Sequence, residues 1–220
     1  MNLKKCLAKY LFFYFLTFLP VAVANNNIEV ILKNEKLSNS DLNAVKGILS
    51  KNPKETLKSF LSIVKDEKYP DRSRWLSLIL IGRAMGKKSA PLMIKYLSHP
   101  HWMIRSAAIK SLKSLKVAKP VLEYKKLLTD KSYILREQAL ETISALKIKS
   151  LGLDVLKMLG DQTNYISTKK GRRPSEVVKK VISTLSILKV KESIPMLKKI
   201  REKKTYSTLS THIDEALKKI

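Results

Sequence analysis

Cysteine occurs once in this chain, at Cys6, and glycine only six times. Histidine is confined to His99, His101 and His212, and acidic residues number 18 against 44 lysines and arginines. Each shortage excludes a class of chemistry. Cys6 stands before an apolar run rather than after it, so it cannot carry a lipid anchor, and residues 25–220 contain no cysteine at all. Disulfides, thiolate catalysis and cysteine-ligated metal are therefore ruled out of that segment. With so few glycines there is no phosphate-cradling loop and no strand–serine–helix elbow. His99 and His101 flank Pro100 without a carboxylate near them in sequence, and His212 is isolated. A carboxylate pair such as Asp154 with Glu123 would lie on neighbouring second helices, and charged residues there read most simply as the solvated side of amphipathic helices. The residues predict no active site, no metal and no cofactor.

What is present begins with residues 1–24, MNLKKCLAKYLFFYFLTFLPVAVA. Lys4, Lys5 and Lys9 precede an apolar core, Pro20 breaks it, and Ala22-Val23-Ala24 supplies small residues at a cleavage site. That order is a secretory signal peptide, and it predicts an exported chain, periplasmic or extracellular, starting at Asn25. The apolar run is short of the roughly 20 residues that span a bilayer, which disfavours an uncleaved anchor. Cleavage removes three lysines and no acid, so the charge goes from 44 − 18 = +26 to 41 − 18 = +23. Such a chain favours anionic surfaces. Lysine nevertheless outnumbers arginine 36 to 8. Phosphate readers lean on the planar fork of arginine, so the excess is consistent with general solubility as well as with an anion site.

The rest of the chain repeats. Leu115-Lys116-Val117 returns as Leu146-Lys147-Ile148 and Leu188-Lys189-Val190, at steps of 31 and 42 residues, and Met85-Gly86-Lys87 is a weaker copy upstream. Before the first marker, Ile104, Ala107, Ala108, Ile109, Leu112 and Leu115 recur at helical spacing and form one apolar face. Pro91, Pro120 and Pro195 stand where a second helix begins, a position at which the missing N–H costs nothing. Nothing alternates with period two for long enough to predict a sheet. Two short helices cannot bury both their faces alone, so the pairs must stack. The expected units are residues 25–70, 71–100, 101–130, 131–161 and 162–220, with residues 28–36 capping the first pair and residues 209–220 closing the last.

Arg105 with Ala108 and Leu112, Arg136 with Ala139 and Ile143, the proline of the second helix, and Asp130 and Asp161 between units together resemble HEAT-like repeats, in particular the short type of the phycobilisome lyases. Tetratricopeptide and ankyrin patterns fit worse. The resemblance implies an all-α fold, a right-handed α-α superhelix of about five helix pairs. It also implies that Arg105, Arg136 and Asp130 are structural, tying adjacent turns together rather than holding a ligand. The chain departs from the family in its short period, and in a last unit that lacks the arginine and carries extra residues. HEAT-like hydroxylases hold iron with His-Glu dipeptides, which are absent here.

The function expected is an exported, non-enzymatic interaction scaffold that binds a protein or an anionic envelope polymer. Its candidate binding residues are Lys95, Lys126, Lys157 and Lys199, in register on the second helices with Lys65 before them, and Lys169, Lys170, Arg172 and Arg173 in the extra stretch of residues 164–174, read as a loop standing off the array. One alternative is a cytoplasmic nucleic-acid-binding protein like the HEAT-like alkylpurine DNA glycosylases, using Asp154, Trp75 and Trp102. The export signal and the position of both tryptophans outside the second helices place nucleic acid behind. A second alternative is a peripheral protein held on an anionic membrane surface by charge.

Overall fold

The computed structural model describes residues 31–32, 38–169 and 171–220. The expected signal peptide at residues 1–24, most of the expected cap at 28–36, and Lys170 lie outside the described residues. The chain falls into two compact units, residues 1–89 and residues 90–220. The division lies inside the expected repeat 71–100, between its two helices.

In the first unit, α1 (Asn39–Lys51), α2 (Pro53–Lys65) and α3 (Asp71–Met85) pack on one another. Ser38 starts α1 with a capping box: its hydroxyl accepts from the Asp41 N–H at 3.1 Å, and the Asp41 carboxylate accepts from the Ser38 N–H at 2.8 Å. Two otherwise orphaned donors are thereby satisfied. Pro53 opens α2, as its fixed φ allows. Val45, Phe60, Ile63, Val64 and the run Leu78–Ile81 form the core. α3 ends at Gly86, where φ is 57° and ψ −141°, a conformation only glycine adopts without strain.

In the second unit, helix pairs follow in order: α4 (Ala90–Tyr96) and α5 (Trp102–Ser114), α6 (Val121–Leu127) and α7 (Tyr133–Ala145), α8 (Gly152–Lys157) and α9 (Glu176–Leu188), then α10 (Ile194–Arg201) and α11 (Ser210–Lys219). The long helices are stacked. α5 packs between α4 and α7, α7 meets α6 and α9, and α9 meets α8 and α11. Position in the stack accounts for the burial pattern: α5 buries Ile104, Ser106 to Ile109, Ser111 and Leu112, more than a single stripe, because neighbours cover it on more than one side.

The recurring Leu-Lys-Val and Leu-Lys-Ile markers are helix terminators. Lys116, Lys147 and Lys189 all take positive φ, at 54°, 50° and 57°. At the first, the Val117 N–H donates to the Leu112 carbonyl at 3.0 Å and the Lys116 N–H to the Lys113 carbonyl at 3.1 Å. The same pair of bonds recurs at Ile148 and Lys147, and again at Val190 and Lys189. This is the Schellman pattern, with the branched residue after the lysine folded back on the helix it has just ended. The spacing of the markers is thus the spacing at which long helices must stop.

The architecture is all-α, as expected, with one correction. Residues 165–174 form a two-stranded antiparallel hairpin, β1 (Tyr165–Thr168) with β2 (Gly171–Pro174), paired from Tyr165 with Pro174 to Thr168 with Gly171. Two four-residue strands are too short to show a period in the sequence. The hairpin is also anchored where a loop standing off the array was expected. Asn164 is fully buried and donates from Nδ2 to the Met158 carbonyl at 3.0 Å, while the Tyr165 hydroxyl donates to the Leu159 carbonyl at 2.7 Å. The Ser175 hydroxyl closes the base by donating to the Asn164 carbonyl at 2.6 Å. Only the portion beyond Tyr165 is exposed.

Candidate binding face

The short helices of the second unit carry the candidate lysines. Lys95 lies on α4, Lys126 on α6, Lys157 on α8 and Lys199 on α10, and all four are exposed. Lys65 ends α2 in the first unit and is also exposed. The register read from the residue numbers therefore falls on equivalent helices. One turn before each lysine on three of these helices stands an exposed aliphatic side chain: Leu122 at 59% exposure, Leu153 at 55% and Met196 at 40%. Residues three or four apart share a helix face, so apolar residue and lysine are presented together. The aliphatic row escaped the sequence reading, although Leu122 and Leu153 are themselves 31 residues apart.

Between α6 and α8 these residues border a cleft of ≈ 440 Å³ lined by Leu122, Lys125, Lys126, Leu128, Thr129, Asp154, Lys157, Met158 and Asp161. Asp154 sits at its centre of charge, mostly buried, 3.0 Å from Lys125 Nζ and 3.6 Å from Lys157 Nζ. Glu123 and Asp154 lie on the neighbouring short helices α6 and α8, and it is these two lysines that hold Asp154. Three cations surround a pair of carboxylates, and leucine and methionine side chains supply the apolar surface.

The hairpin cations form a separate group. Lys169, Arg172 and Arg173 are exposed, and Arg172 donates to Gln162 Oε1 at 2.6 Å. β2 packs against the turn Lys204–Leu209, and the Tyr165 and Tyr206 rings lie 5.6 Å apart. Burial, with the neighbouring Tyr206 adding to it, pushes the Tyr165 hydroxyl up to about 12.

Arg105, Arg136 and Asp130 occupy the joints between pairs. Arg105 grips the Asp130 carboxylate with both prongs, Nε to Oδ2 and Nη2 to Oδ1, each at 2.9 Å. Its Nη1 donates to the His99 and Pro100 carbonyls, both at 2.7 Å, and Asp130 also accepts from the Ser132 N–H. Arg136 repeats the motif with a difference: it donates to the Asp130 carbonyl at 2.7 Å and the Thr163 carbonyl at 3.3 Å, while Asp161 instead accepts from Thr163. In the first unit Arg74, 31 residues before Arg105, is buried and donates from Nε to the Val64 carbonyl at 3.1 Å.

On the long-helix side, Glu141 of α7 receives Lys113 of α5 at 3.1 Å and Lys180 of α9, so one carboxylate links three successive helices. Lys180 also lies 3.6 Å from Glu137. Burial alone would raise the Glu141 carboxyl, but hydrogen bonds from Lys180 and Lys113 outweigh it and hold it below its ordinary value. Among the described residues no cluster of three or more His, Cys, Asp or Glu side chains is placed to hold a metal ion, and no helix is long and apolar enough to cross a membrane.

The HEAT repeat family model matches residues 90–116, the segment from α4 through α5 to its terminator. That match begins where the second compact unit begins. Among solved structures, the complex of CpcE and CpcF of phycocyanin lyase from Nostoc sp. PCC7120 is similar at 17% identity, covering 81% of this chain and 70% of that one with a TM-score of 0.47. A sequence comparison with curated proteins finds no match. One helix pair of the stack, residues 90–116, is thus similar to a HEAT repeat.

Proposed function

We propose that this protein is an exported, non-catalytic scaffold whose short-helix face binds another macromolecule. The observation that carries the reading is the double row on that face, exposed lysines at 95, 126, 157 and 199 accompanied by exposed Leu122, Leu153 and Met196. Exposed aliphatic residues repeated at one position of a stack are surface that a partner covers. Rigid helix pairs hold these side chains at spacings of ~10 Å, so several weak contacts act together without an ordering cost at each. Export rests on the layout of residues 1–24, and a cleaved chain of charge 41 − 18 = +23 would meet anionic components in any envelope.

The test compares two triple variants of the chain from Asn25. Lys126, Lys157 and Lys199 are changed together to Gln in one, and the off-row Lys110, Lys149 and Lys218 in the other. Each is used to capture partners from the envelope fraction at low and high salt. Loss of a partner from the row variant and its retention by the control supports the reading. Equal losses would mean that only total charge matters. Intact mass of the native protein checks export: a cytoplasmic species retaining Met1 to Ala24 would overturn it and bring the nucleic-acid reading forward.

A further inference from the structure

We infer that the α6–α8 cleft is a docking site for an acidic polypeptide segment bearing aliphatic side chains. This rests on the reading of the short-helix face as a binding surface and names the chemistry of its partner. Three features of the cleft select that chemistry together. The first is cationic: Lys125, Lys126 and Lys157 line it, and carboxylates are the groups a polypeptide offers them. The second is apolar: Leu122 is more than half exposed at the lip, and Leu128 and Met158 line the cleft. The third is the state of its two aspartates: Asp154 is held by Lys125 and Lys157, and Asp161 accepts from the Thr163 N–H and hydroxyl, so Lys126 is the cation of the lining that an occupant meets without a carboxylate already on it.

An occupant must therefore supply negative charge to Lys126 and the lysines that continue its row, and an apolar side chain to Leu122. An acidic polypeptide with leucines supplies both. A nucleic-acid strand supplies the charge, but its bases call for aromatic stacking partners, whereas the exposed row is apolar without aromatic residues and lacks arginine. An anionic lipid surface also supplies the charge, but it presents a plane of headgroups rather than single apolar side chains that fit a cleft between two helices. Leu153 with Lys157 on α8, and Met196 with Lys199 on α10, extend the same pairing along the stack, so a longer segment would find further contacts.

The experiment measures binding by fluorescence anisotropy at near-physiological salt, using the chain from Asn25. The probes are a labelled peptide of repeated Glu-Glu-Leu triplets, the same peptide with Ser in place of Leu, a single-stranded DNA of equal charge, and vesicles containing phosphatidylglycerol. The Leu peptide is expected to bind about tenfold or more tighter than the Ser peptide and the DNA, the range set by burying one or more leucines. L122S/L153S should abolish that preference while leaving the Ser peptide unchanged, and K126Q/K157Q should weaken both peptides. These positions are exposed, and circular dichroism confirms that the variants are folded. Equal binding of the two peptides, tighter binding of DNA or vesicles, or no binding of the Leu peptide overturns the inference. If that happens while the Lys126, Lys157 and Lys199 triple variant still loses its envelope partner, the binding face stands and only its assigned partner falls. If the triple variant also keeps its partner, both fall.

Discussion

Lys116, Lys147 and Lys189 stop three long helices from a conformation that costs a side-chain-bearing residue about 1–2 kcal/mol. Glycine would take it without that strain, at the expense of a floppier unfolded chain worth roughly 0.4–1 kcal/mol. The first effect is the larger. Lys116→Gly should therefore raise the urea midpoint by the equivalent of about 0.5–1 kcal/mol, and Lys116→Val should lower it. A loss from the glycine variant would mean that the lysine side chain itself contributes to the cap. Arg105 makes the opposite case, because its guanidinium and the Asp130 carboxylate are both mostly buried. Arg105→Ala leaves a charge without its partner and should cost about 3–5 kcal/mol. Arg105→Lys keeps the charge but loses the fork and the two loop carbonyls, and should recover roughly half of that. If lysine restores full stability in denaturant titration, the paired geometry is irrelevant and only charge counts. The terminator lysines were legible as a recurrence without a reason, since the sequence shows that Leu-Lys-Val returns but not that its centre has positive φ. Arg74 was legible too, by the same 31-residue step that relates Arg105 to Arg136.

At the scale of elements, helix pairs could be read almost completely from residues because their apolar spacing, prolines and repeat period agree with one another. The hairpin could not. Its strands are four residues each, and the contacts that hold its base come from the Met158 and Leu159 carbonyls, which no side-chain pattern announces. The two ends of the stretch should respond differently. Replacing residues 167–172 by a minimal turn removes positions of which 167–169, 171 and 172 are exposed, and is expected to change the thermal midpoint little. Asn164→Ala opens a fully buried site and removes one of the two donors to the Met158 carbonyl, which keeps the Asp161 N–H, at a cost of about 0.5–1.5 kcal/mol for the lost bond. Calorimetry on both variants separates tip from base. An equal, large loss from the tip replacement would show that the whole hairpin is packed structure. The aliphatic row on the short helices was missed for a different reason: Leu122 and Leu153 have the composition of core residues, and only the packing shows that the described residues leave them more than half exposed.

Across the whole molecule, a formal charge of +26 opposes compactness, while carboxylate links such as Glu141 offset it locally. The two respond in opposite ways to salt. The Glu141 carboxyl is held below its ordinary value of 4.5 by Lys180 and Lys113, so its contribution is complete above that value and is lost as pH falls through the lowered one. Lys180 is the mirror case: despite burial, its bonds to Glu141 and Glu137 raise it above 10.5, and its contribution holds below that value and is lost as pH rises through the raised one. Glu141 is about 41% exposed, which limits the link to about 1 kcal/mol or less, and the same holds for the other exposed pairs. Repulsion among 26 uncompensated charges is summed over the molecule and reaches further, with a Debye length of ~10 Å at 0.1 M salt that falls to ~3 Å at 1 M. Repulsion should win. Raising the salt at pH 7 is expected to increase the unfolding midpoint, contrary to what ion pairs alone would do. Glu141→Gln should lower the midpoint at pH 7 and low salt, with the difference from the parent shrinking at high salt and vanishing as pH falls well below 4.5. A midpoint that drops with added salt would show that the carboxylate links, and not the excess of lysine, dominate the electrostatics of the fold.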